Sequence, residues 1–304
     1  MIPDKLEKGD IIGVVAPSSP ITPDKVEDIE KSKKLMEDAG YKIQFGDYVF
    51  IDELGYGATA KHKAEDINNM FKNKNIKAIF CASGGANCNS TFDYLDYDII
   101  KQNPKIICGF SDSTSITNII YQKTGLVTFN GSTFKALTSW DTDYSYKEVI
   151  KRFEHASLEL GTKEDKFTTI RRGTSEGILV GGNLTLTSRL VCGKYNINFK
   201  NKILFIEELG YEADAAMVSN CLYYMKQNGV FNDIKGIWVG NYEHTSKIKL
   251  EKILLDTLEN EFDFPIIKSN NFGHTDKKTV IPIGTKARIN NDKIELIENC
   301  VNIK

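Results

Sequence analysis

The sequence predicts an α/β fold of two domains, with a mostly parallel sheet in the N-terminal domain. Short apolar runs alternate with amphipathic segments of helical length, which is the pattern of βαβ units. The alternation fades at about residue 140 and resumes at about residue 176, so a connection between domains is predicted there. The length of 304 residues is enough for two domains of ordinary size.

The N-terminal elements follow from hydrophobic periodicity. Residues 10–17 form an apolar run typical of a fully buried strand. Apolar residues then recur at helical spacing from Val26 to Ala39, and Gly40 ends that helix. Further strands are predicted at 42–49, 76–81, 105–110 and 126–129, with helices over 60–74 and through Thr117 and Ile120.

The C-terminal elements are predicted in the same way. Residues 141–175 carry one predicted helix, 147–155, and a charged stretch, and we interpret them as the interdomain connection. The predicted domains are therefore residues 1–140 and 176–304. In the second domain we predict strands at 203–206 and 236–239, helices at 213–227 and 248–258, and a closing β-rich tail over 265–298.

Composition argues against several classes of function. The net charge of −2 gives no electrostatic case for binding nucleic acid or an anionic membrane surface. The six cysteines include no Cys-x-x-Cys pair, so neither a zinc site nor a disulfide framework is indicated. No apolar stretch reaches the length of a membrane span, and the N-terminus has no apolar signal segment. We expect a cytoplasmic protein.

The segment 109–114 (Gly-Phe-Ser-Asp-Ser-Thr) follows an apolar strand and precedes a helix. A serine in such a sharp turn projects its hydroxyl away from the sheet, beside the free backbone N–H groups of the helix start. Ser111 is therefore a candidate nucleophile, and the Asp112 backbone N–H is a candidate donor to an oxyanion. The alternative, which the motif alone favours, is that Ser111, Ser113 and Thr114 are helix caps.

Other polar segments lie at the carboxyl ends of predicted strands. In parallel sheets ligands bind beyond these ends, so Ser18-Ser19, the Ser-Gly-Gly at 83–85 and Ser111 are expected to come together. The glycines let the backbone approach a ligand closely, as an oxyanion donor or a carboxylate cradle. A plain turn is the alternative, and a phosphate loop is not indicated because its Gly-Lys-Ser/Thr is missing.

A serine nucleophile needs a base, and the sequence has four histidines. His62 lies on a charged helix face, and His155 ends a helix. His244 and His274 each follow a predicted strand in a loop, where catalytic residues concentrate. The residue pattern does not choose between these two, and an ordinary surface histidine is the alternative for each.

The orienting acid is predicted at the end of the strand 203–206, where Glu207 and Glu208 follow. Adjacent side chains of a strand point to opposite faces, so one carboxylate could reach a histidine and the other water. Asp112 is a rival acid. The alternative is that the glutamates only end the strand and cap the next helix.

Together these motifs resemble the serine peptidase family of LD-carboxypeptidases and microcin C self-immunity proteins. The resemblance rests on Gly-Phe-Ser-Asp at 109–112, Ile-Glu-Glu at 206–208 and Gly-His-Thr at 273–275, in the order Ser, Glu, His. Further matching segments are 16–19, 84–89, 176–177 and 181–184. The match extends from about residue 9 to residue 286.

The resemblance implies a flavodoxin-like or amidotransferase-like N-terminal domain and a smaller C-terminal β/α swivelling domain, usually in a homodimer. It implies that Ser111 is the nucleophile, His274 the general base and acid, and Glu207 the residue that orients the histidine. This triad would cross the domain interface. The amides of Gly85 and Asp112 would form the oxyanion hole, and no metal or cofactor is implied.

Within the family, Gly-Gly-x-Asn-x-Asn at 84–89 is similar to the microcin-immunity branch, which implies cleavage of aminoacyl- or peptidyl-nucleotide carboxamides. The candidate substrate-binding residues are Gly84, Asn87 and Asn89. Cys88 stands where that branch usually has serine, and 158–172 lacks the tryptophan that nucleotide-handling members often carry. A murein tetrapeptide LD-carboxypeptidase that releases D-alanine is the alternative, and a non-catalytic binding protein is another.

Overall fold

The computed structural model describes residues 1–243 and 248–303. Its strands are β1 (Ile11–Val15), β2 (Lys42–Phe45), β3 (Ile76–Cys81), β4 (Ile106–Gly109), β5 (Thr128–Asn130), β6 (Phe167–Arg171), β7 (Thr174–Asn183), β8 (Lys202–Leu209), β9 (Gly236–Glu243), β10 (Ile266–Ser269), β11 (Ile281–Ile283), β12 (Lys286–Asn290) and β13 (Lys293–Leu296). Its helices are α1 (Val26–Asp38), α2 (Ala60–Lys72), α3 (Tyr97–Gln102), α4 (Ser113–Thr124), α5 (Ala136–Ser139), α6 (Thr142–Phe153), α7 (Leu184–Ser188), α8 (Ala215–Gln227), α9 (Val230–Asp233) and α10 (Leu250–Leu258).

The first sheet has the strand order β11-β5-β4-β3-β1-β2. The strands β1 to β5 run parallel, so their carboxyl ends share one edge of the sheet. The segments that follow β1, β3 and β4 carry Ser18, Ser83 and Ser111. The strand β11 pairs antiparallel with β5, with Ile281 opposite Asn130, so the C-terminal part of the chain completes this sheet.

The second sheet has the order β13-β12-β7-β8-β9-β10-β6. Its central strands β7 to β10 are parallel, while β12, β13 and β6 are antiparallel to their neighbours. Glu207 lies in β8 and His274 follows β10, both toward the carboxyl ends of the parallel strands. The predicted fold class, a parallel N-terminal sheet followed by a separate C-terminal sheet domain, is confirmed.

The central strands of the first sheet are buried on both faces. Every residue of β4 is buried, and in β3 only Lys77 is exposed. Strands of a parallel sheet are buried on both faces when helices cover both sides of the sheet. Their faces therefore leave no room for a ligand, and polar chemistry is confined to the segments at their ends.

Several predicted elements end at different residues in the structure. The strand predicted at 42–49 ends at Phe45, because the Asp66 carboxylate accepts hydrogen bonds from the backbone N–H groups of Asp47 and Tyr48 at 2.8 and 3.0 Å and fixes a turn there. The helix predicted at 147–155 is α6, which begins earlier because the Asp141 side chain caps it. The strand at 126–129 is β5, shifted toward the C-terminus.

The segment 141–175 contains α6 and also the unpredicted strand β6, which pairs with β10. Its residues, Phe-Thr-Thr-Ile-Arg, do not alternate between apolar and polar and none is fully buried, so the long-range pairing with β10 defines the strand. The short helices α3, α5, α7 and α9 were also not predicted, because six residues or fewer carry too little periodicity. The boundaries 1–140, 141–175 and 176–304 stay a prediction.

The two sheets meet where α4 packs against the carboxyl end of β7. The buried side chain of Asn118 donates to the Gly181 carbonyl at 2.8 Å and accepts from the Gly181 N–H at 3.1 Å. The Thr114 hydroxyl accepts from the Asn183 N–H at 3.1 Å. A Cβ on Gly182 would lie 2.6 Å from Thr114 Oγ1, so this close approach requires glycine.

We expect Asn118→Leu to lower the free energy of unfolding by about 2–4 kcal/mol. The substitution leaves the N–H and C=O of Gly181 without their partner at a buried position, and each such group costs about 1–3 kcal/mol. Urea denaturation followed by circular dichroism measures the change.

The matched control is Asn68→Leu. Asn68 makes the same two kinds of bond, to the Tyr94 carbonyl and the Asp96 N–H, but it is half-buried, so water can replace it. Its loss should cost less than about 1 kcal/mol. Equal losses in the two variants would contradict the role given to Asn118.

Candidate active site

Ser111 occupies the tight turn between β4 and α4. Its φ of +60° lies in the left-handed region, which residues other than glycine rarely adopt. The turn is closed by bonds from the Ser113 N–H to the Phe110 carbonyl, 3.2 Å, and from the Thr114 N–H to the Ser111 carbonyl, 2.9 Å. Strained backbone of this kind persists where the surrounding structure fixes it, and it concentrates at functional sites.

A continuous chain of hydrogen bonds joins Ser111, His274 and Glu207. The distance from His274 Nε2 to Ser111 Oγ is 3.1 Å, and the distance from His274 Nδ1 to Glu207 Oε2 is 2.7 Å. The same carboxylate oxygen accepts from the His274 backbone N–H at 3.0 Å. The side chains of His274 and Glu207 are 12% and 2% exposed. With the carboxylate on Nδ1–H, Nε2 is left to accept the proton of the Ser111 hydroxyl.

The structure distinguishes the histidines that it describes. His274 contacts both Ser111 and Glu207, whereas His62 pairs with Glu53 at 2.8 Å on α2, and His155 is exposed after α6. The other candidate base, His244, lies outside the described residues.

Glycine at position 273 allows Glu207 to reach the histidine. Gly273 has a φ of +93°, and a Cβ there would lie 2.7 Å from Glu207 Oε2. The ring of Phe110 packs on the imidazole with 5.0 Å between centroids. The imidazole is therefore fixed by a carboxylate on one side and an aromatic ring on another.

Glu208 does not face water, so that prediction is wrong. Its side chain is 1% exposed and accepts from Asn183 Nδ2 at 2.6 Å and from the Thr185 N–H and hydroxyl at 2.9 and 2.7 Å. Burial raises the pKa of this carboxyl. The two adjacent glutamates therefore have different partners. Glu207 accepts hydrogen bonds from His274, and Glu208 accepts hydrogen bonds from residues where β7 meets α7.

The loops after β1, β3 and β4 meet at Ser111, as expected for neighbouring parallel strands. A Cβ on Gly84 would lie 3.1 Å from Ser111 Cβ and 3.2 Å from its Oγ. Gly85 has a φ of +145°, and a Cβ there would lie 2.0 Å from Ser19 Oγ. Only glycine lets the loop after β3 fit between Ser111 and the loop after β1.

The Asp112 carboxylate is not an alternative acid for the histidine. It is buried and accepts from the Ser18 hydroxyl at 2.6 Å and from the Cys88 N–H at 2.8 Å. It therefore ties the loops after β1 and β3 to the Ser111 turn. The backbone N–H groups of Gly85 and Asp112 donate no hydrogen bond within residues 1–243 and 248–303.

The predicted substrate-binding residues have different surroundings. Gly84 adjoins Ser111, as described. The Asn87 side-chain oxygen accepts from Lys63 Nζ at 2.8 Å, and burial lowers the pKa of that lysine. Asn89 is solvent-exposed in the short 3-10 helix Cys88–Thr91.

Sequence patterns missed the residues that hold the turn around His274. The Asn241 side chain donates to the His274 carbonyl at 2.6 Å, and Lys278 Nζ donates to the carbonyls of Gly273 and Thr275. The one sequence signal for Asn241 is that it follows a predicted strand, where site residues are expected. Lys278 lies in a charged loop and belongs to no motif.

Two further observations concern metal ions and membranes. In the described ranges, no cluster of three or more His, Cys, Asp or Glu side chains could hold a metal ion. Over the same part of the chain, none of the helices combines the length and the apolar composition needed to cross a membrane.

The sequence matches two family descriptions. The LD-carboxypeptidase N-terminal domain matches residues 12–131, and the LD-carboxypeptidase C-terminal domain matches residues 176–289. The "Probable murein peptide carboxypeptidase" of Bacillus subtilis (strain 168) is 30% identical, over 97% of this chain and 94% of its own length. The "Microcin C7 self-immunity protein MccF" of Escherichia coli is 27% identical, over 94% of this chain and 92% of its own length.

Solved structures show the same fold. The structure of Microcin C7 self-immunity protein MccF in complex with aspartyl sulfamoyl adenosine superposes with a TM-score of 0.89 at 26% identity, over 99% of this chain and 100% of that chain. An MccF-like protein from Bacillus anthracis str. Ames gives a TM-score of 0.86 at 27% identity, over 97% and 98% of the two chains.

We expect Gly273→Ala to break the bond between Glu207 and His274, because the new Cβ would collide with the Glu207 carboxylate at 2.7 Å. The downfield proton NMR signal of an imidazole N–H bonded to a carboxylate should disappear. Gly193→Ala is the matched control, since its φ of +81° carries the same left-handed strain of roughly 1 kcal/mol, but no described atom lies within 4 Å of its Cβ. A signal that persists in Gly273→Ala would contradict this account.

Proposed function

The chain belongs to the LD-carboxypeptidase family of serine peptidases, and we propose that it hydrolyses amides with Ser111, His274 and Glu207 as its catalytic triad. One observation carries the proposal: the hydrogen-bonded chain with 3.1 Å between Ser111 and His274 and 2.7 Å between His274 and Glu207. Serine is a weak nucleophile on its own, and a base oriented by a buried carboxylate activates it.

In the proposed reaction, Ser111 Oγ attacks the carbonyl carbon of a carboxamide while His274 Nε2 takes the hydroxyl proton. Glu207 stabilises the resulting imidazolium through Nδ1–H. The imidazolium then gives its proton to the leaving amine as the C–N bond breaks, which leaves an acyl-enzyme. Water, activated by the neutral His274, releases the acyl group and restores the serine.

The oxyanion of the tetrahedral intermediate is proposed to accept from the Gly85 and Asp112 amides. The support is that neither N–H has a partner within the described ranges and that both belong to the loops next to Ser111. Asp112 also precedes α4, whose positive dipole end favours negative charge.

The proposed triad combines residues from both sheets. Ser111 follows β4 of the first sheet, whereas Glu207 and His274 belong to the second sheet and its loops. With the proposed domains 1–140 and 176–304, joined by 141–175, catalysis needs both domains packed together. We also propose a homodimer, which rests on the family resemblance.

The first proposed substrate class is the aminoacyl- or peptidyl-nucleotide carboxamide. Its support is the motif at 84–89 and the likeness to MccF, which has been solved with aspartyl sulfamoyl adenosine. Gly84, Asn87 and Asn89 are the proposed substrate contacts. Murein tetrapeptides are the second class, supported by the 30% identity to a murein peptide carboxypeptidase.

A two-substrate assay distinguishes these classes. The protein is incubated separately with an aspartyl phosphoramidate of adenosine and with a murein tetrapeptide ending in D-alanine, and the products are measured by mass spectrometry. We expect release of the nucleotide. Release of D-alanine alone would overturn the first class in favour of the second, and turnover of neither would contradict both.

We expect Ser111→Ala to reduce turnover at least about 10³-fold, because the nucleophile is lost while the other groups stay in place. The melting temperature should change little, since alanine meets the same backbone strain as serine at a φ of +60°. Ser113→Ala is the control, because this buried serine of the same turn is not bonded to His274 and should remain active. Full activity in Ser111→Ala would sink the proposal.

A further inference from the structure

Lys278 has an unusual place for a charged side chain. It lies four residues after His274 and is 2% exposed. Its Nζ donates to the Gly273 carbonyl at 2.9 Å and also to the Thr275 carbonyl. The ammonium therefore bridges the two carbonyls on either side of the histidine.

Two aromatic rings enclose this ammonium. Lys278 Nζ lies 3.7 Å from the ring centroid of Trp140 and 4.9 Å from that of Phe110. Phe110 in turn packs on the imidazole of His274, with 5.0 Å between the ring centroids. Trp140 is 43% exposed, so on its side of the ammonium the indole lies between Nζ and solvent. Ring faces attract cations most strongly where water is excluded.

Packing alone does not explain a lysine here. Burial of a charge is unfavourable unless hydrogen bonds compensate it, and an apolar side chain of similar volume usually packs at least as well. The ammonium provides what an apolar chain lacks, which is a donor that fixes the direction of two carbonyls at once. Those carbonyls belong to Gly273 and Thr275, the residues that define the turn.

The turn is restrained along its whole length. The Thr275 N–H bonds to the Gly273 carbonyl at 3.0 Å, and the Asn241 side chain holds the intervening His274 carbonyl at 2.6 Å. With Lys278, all three successive carbonyls have side-chain donors. A shift of about 1 Å in such a turn can cost about 10²-fold in rate, because proton transfer needs hydrogen-bond distance.

We propose that Lys278 is a positioning residue that holds the His274 turn so that Nε2 stays within hydrogen-bond distance of Ser111. The inference rests on the proposed function, since it assigns Lys278 the task of positioning a member of the proposed triad. Trp140 shields the ammonium from water, so water does not compete with the two carbonyls for its hydrogen bonds.

The experiment measures covalent labelling of Ser111 by a fluorophosphonate, which reports triad alignment without knowledge of the substrate. Lys278→Met removes the donor and keeps the apolar stem, and Lys278→Arg restores donors and charge. The matched control is Lys105→Met. Lys105 is also buried, and its Nζ donates to the carbonyls of Met70 and Asn73, but it precedes β4 at the end away from Ser111.

We expect the maximal labelling rate of Lys278→Met to fall about 10- to 100-fold, with the half-saturating probe concentration unchanged within about threefold. Lys278→Arg should recover at least about a third of the parent rate. Lys105→Met should label at the parent rate, although it loses the same kind of bonds, and melting temperatures of all variants show how far stability changes.

The outcomes separate the two proposals. A parent protein that is not labelled at Ser111 overturns the proposed function and this inference with it. A parent that is labelled, with Lys278→Met equally fast, overturns the inference alone. The inference is also overturned if Lys278→Arg is no faster than Lys278→Met, or if Lys105→Met slows labelling as much, because a general loss of stability would then explain the effect.

Discussion

The packing of α4 on β7 sets the geometry of the whole site. Ser111 precedes α4, while Glu207 and His274 are carried by the second sheet, so their separation depends on how that helix meets that strand. Glycines at the end of β7 bring the two backbones together, and Asn118 joins them through both polar groups of one peptide unit. Amide hydrogen bonds are directional, so this contact fixes orientation as well as distance.

Buried carboxylates organise several loops that follow the carboxyl ends of strands. Asp112 joins the loops after β1 and β3, Glu208 holds the start of α7, and Asp66 turns the chain after β2. Each is buried and accepts from backbone N–H groups. Charge-assisted bonds to backbone are strong in a low-dielectric setting, so they stabilise segments that have no strand ladder of their own.

The sequence predicted those parts of the site that are encoded locally. The turn at Ser111 and the strand end at Glu207 follow from apolar runs that stop at polar residues. The choice of His274 required the family resemblance, because its contact with Glu207 joins residues 67 positions apart. The Asp112 carboxylate was considered only as a rival acid, because its partners Ser18 and Cys88 are brought near by tertiary packing. Lys278 bonds to carbonyls only three and five residues away, but the sequence does not show that its ammonium turns back onto them or that Trp140 lies over it. The strand β6 has no apolar pattern of its own and exists through its pairing with β10.

The strand β11 also bears on how the chain is made. It covers the β5 edge of the first sheet, yet it is synthesised about 150 residues after the other strands of that sheet. Until Ile281 emerges, the backbone of β5 presents unpaired N–H and C=O groups, which are a template for pairing with other chains. A gene fragment that stops at residue 140 would keep this edge permanently open. The N-terminal sheet therefore depends on a strand from the C-terminal part of the chain, and the edge of β5 stays open to other chains until that strand has been made.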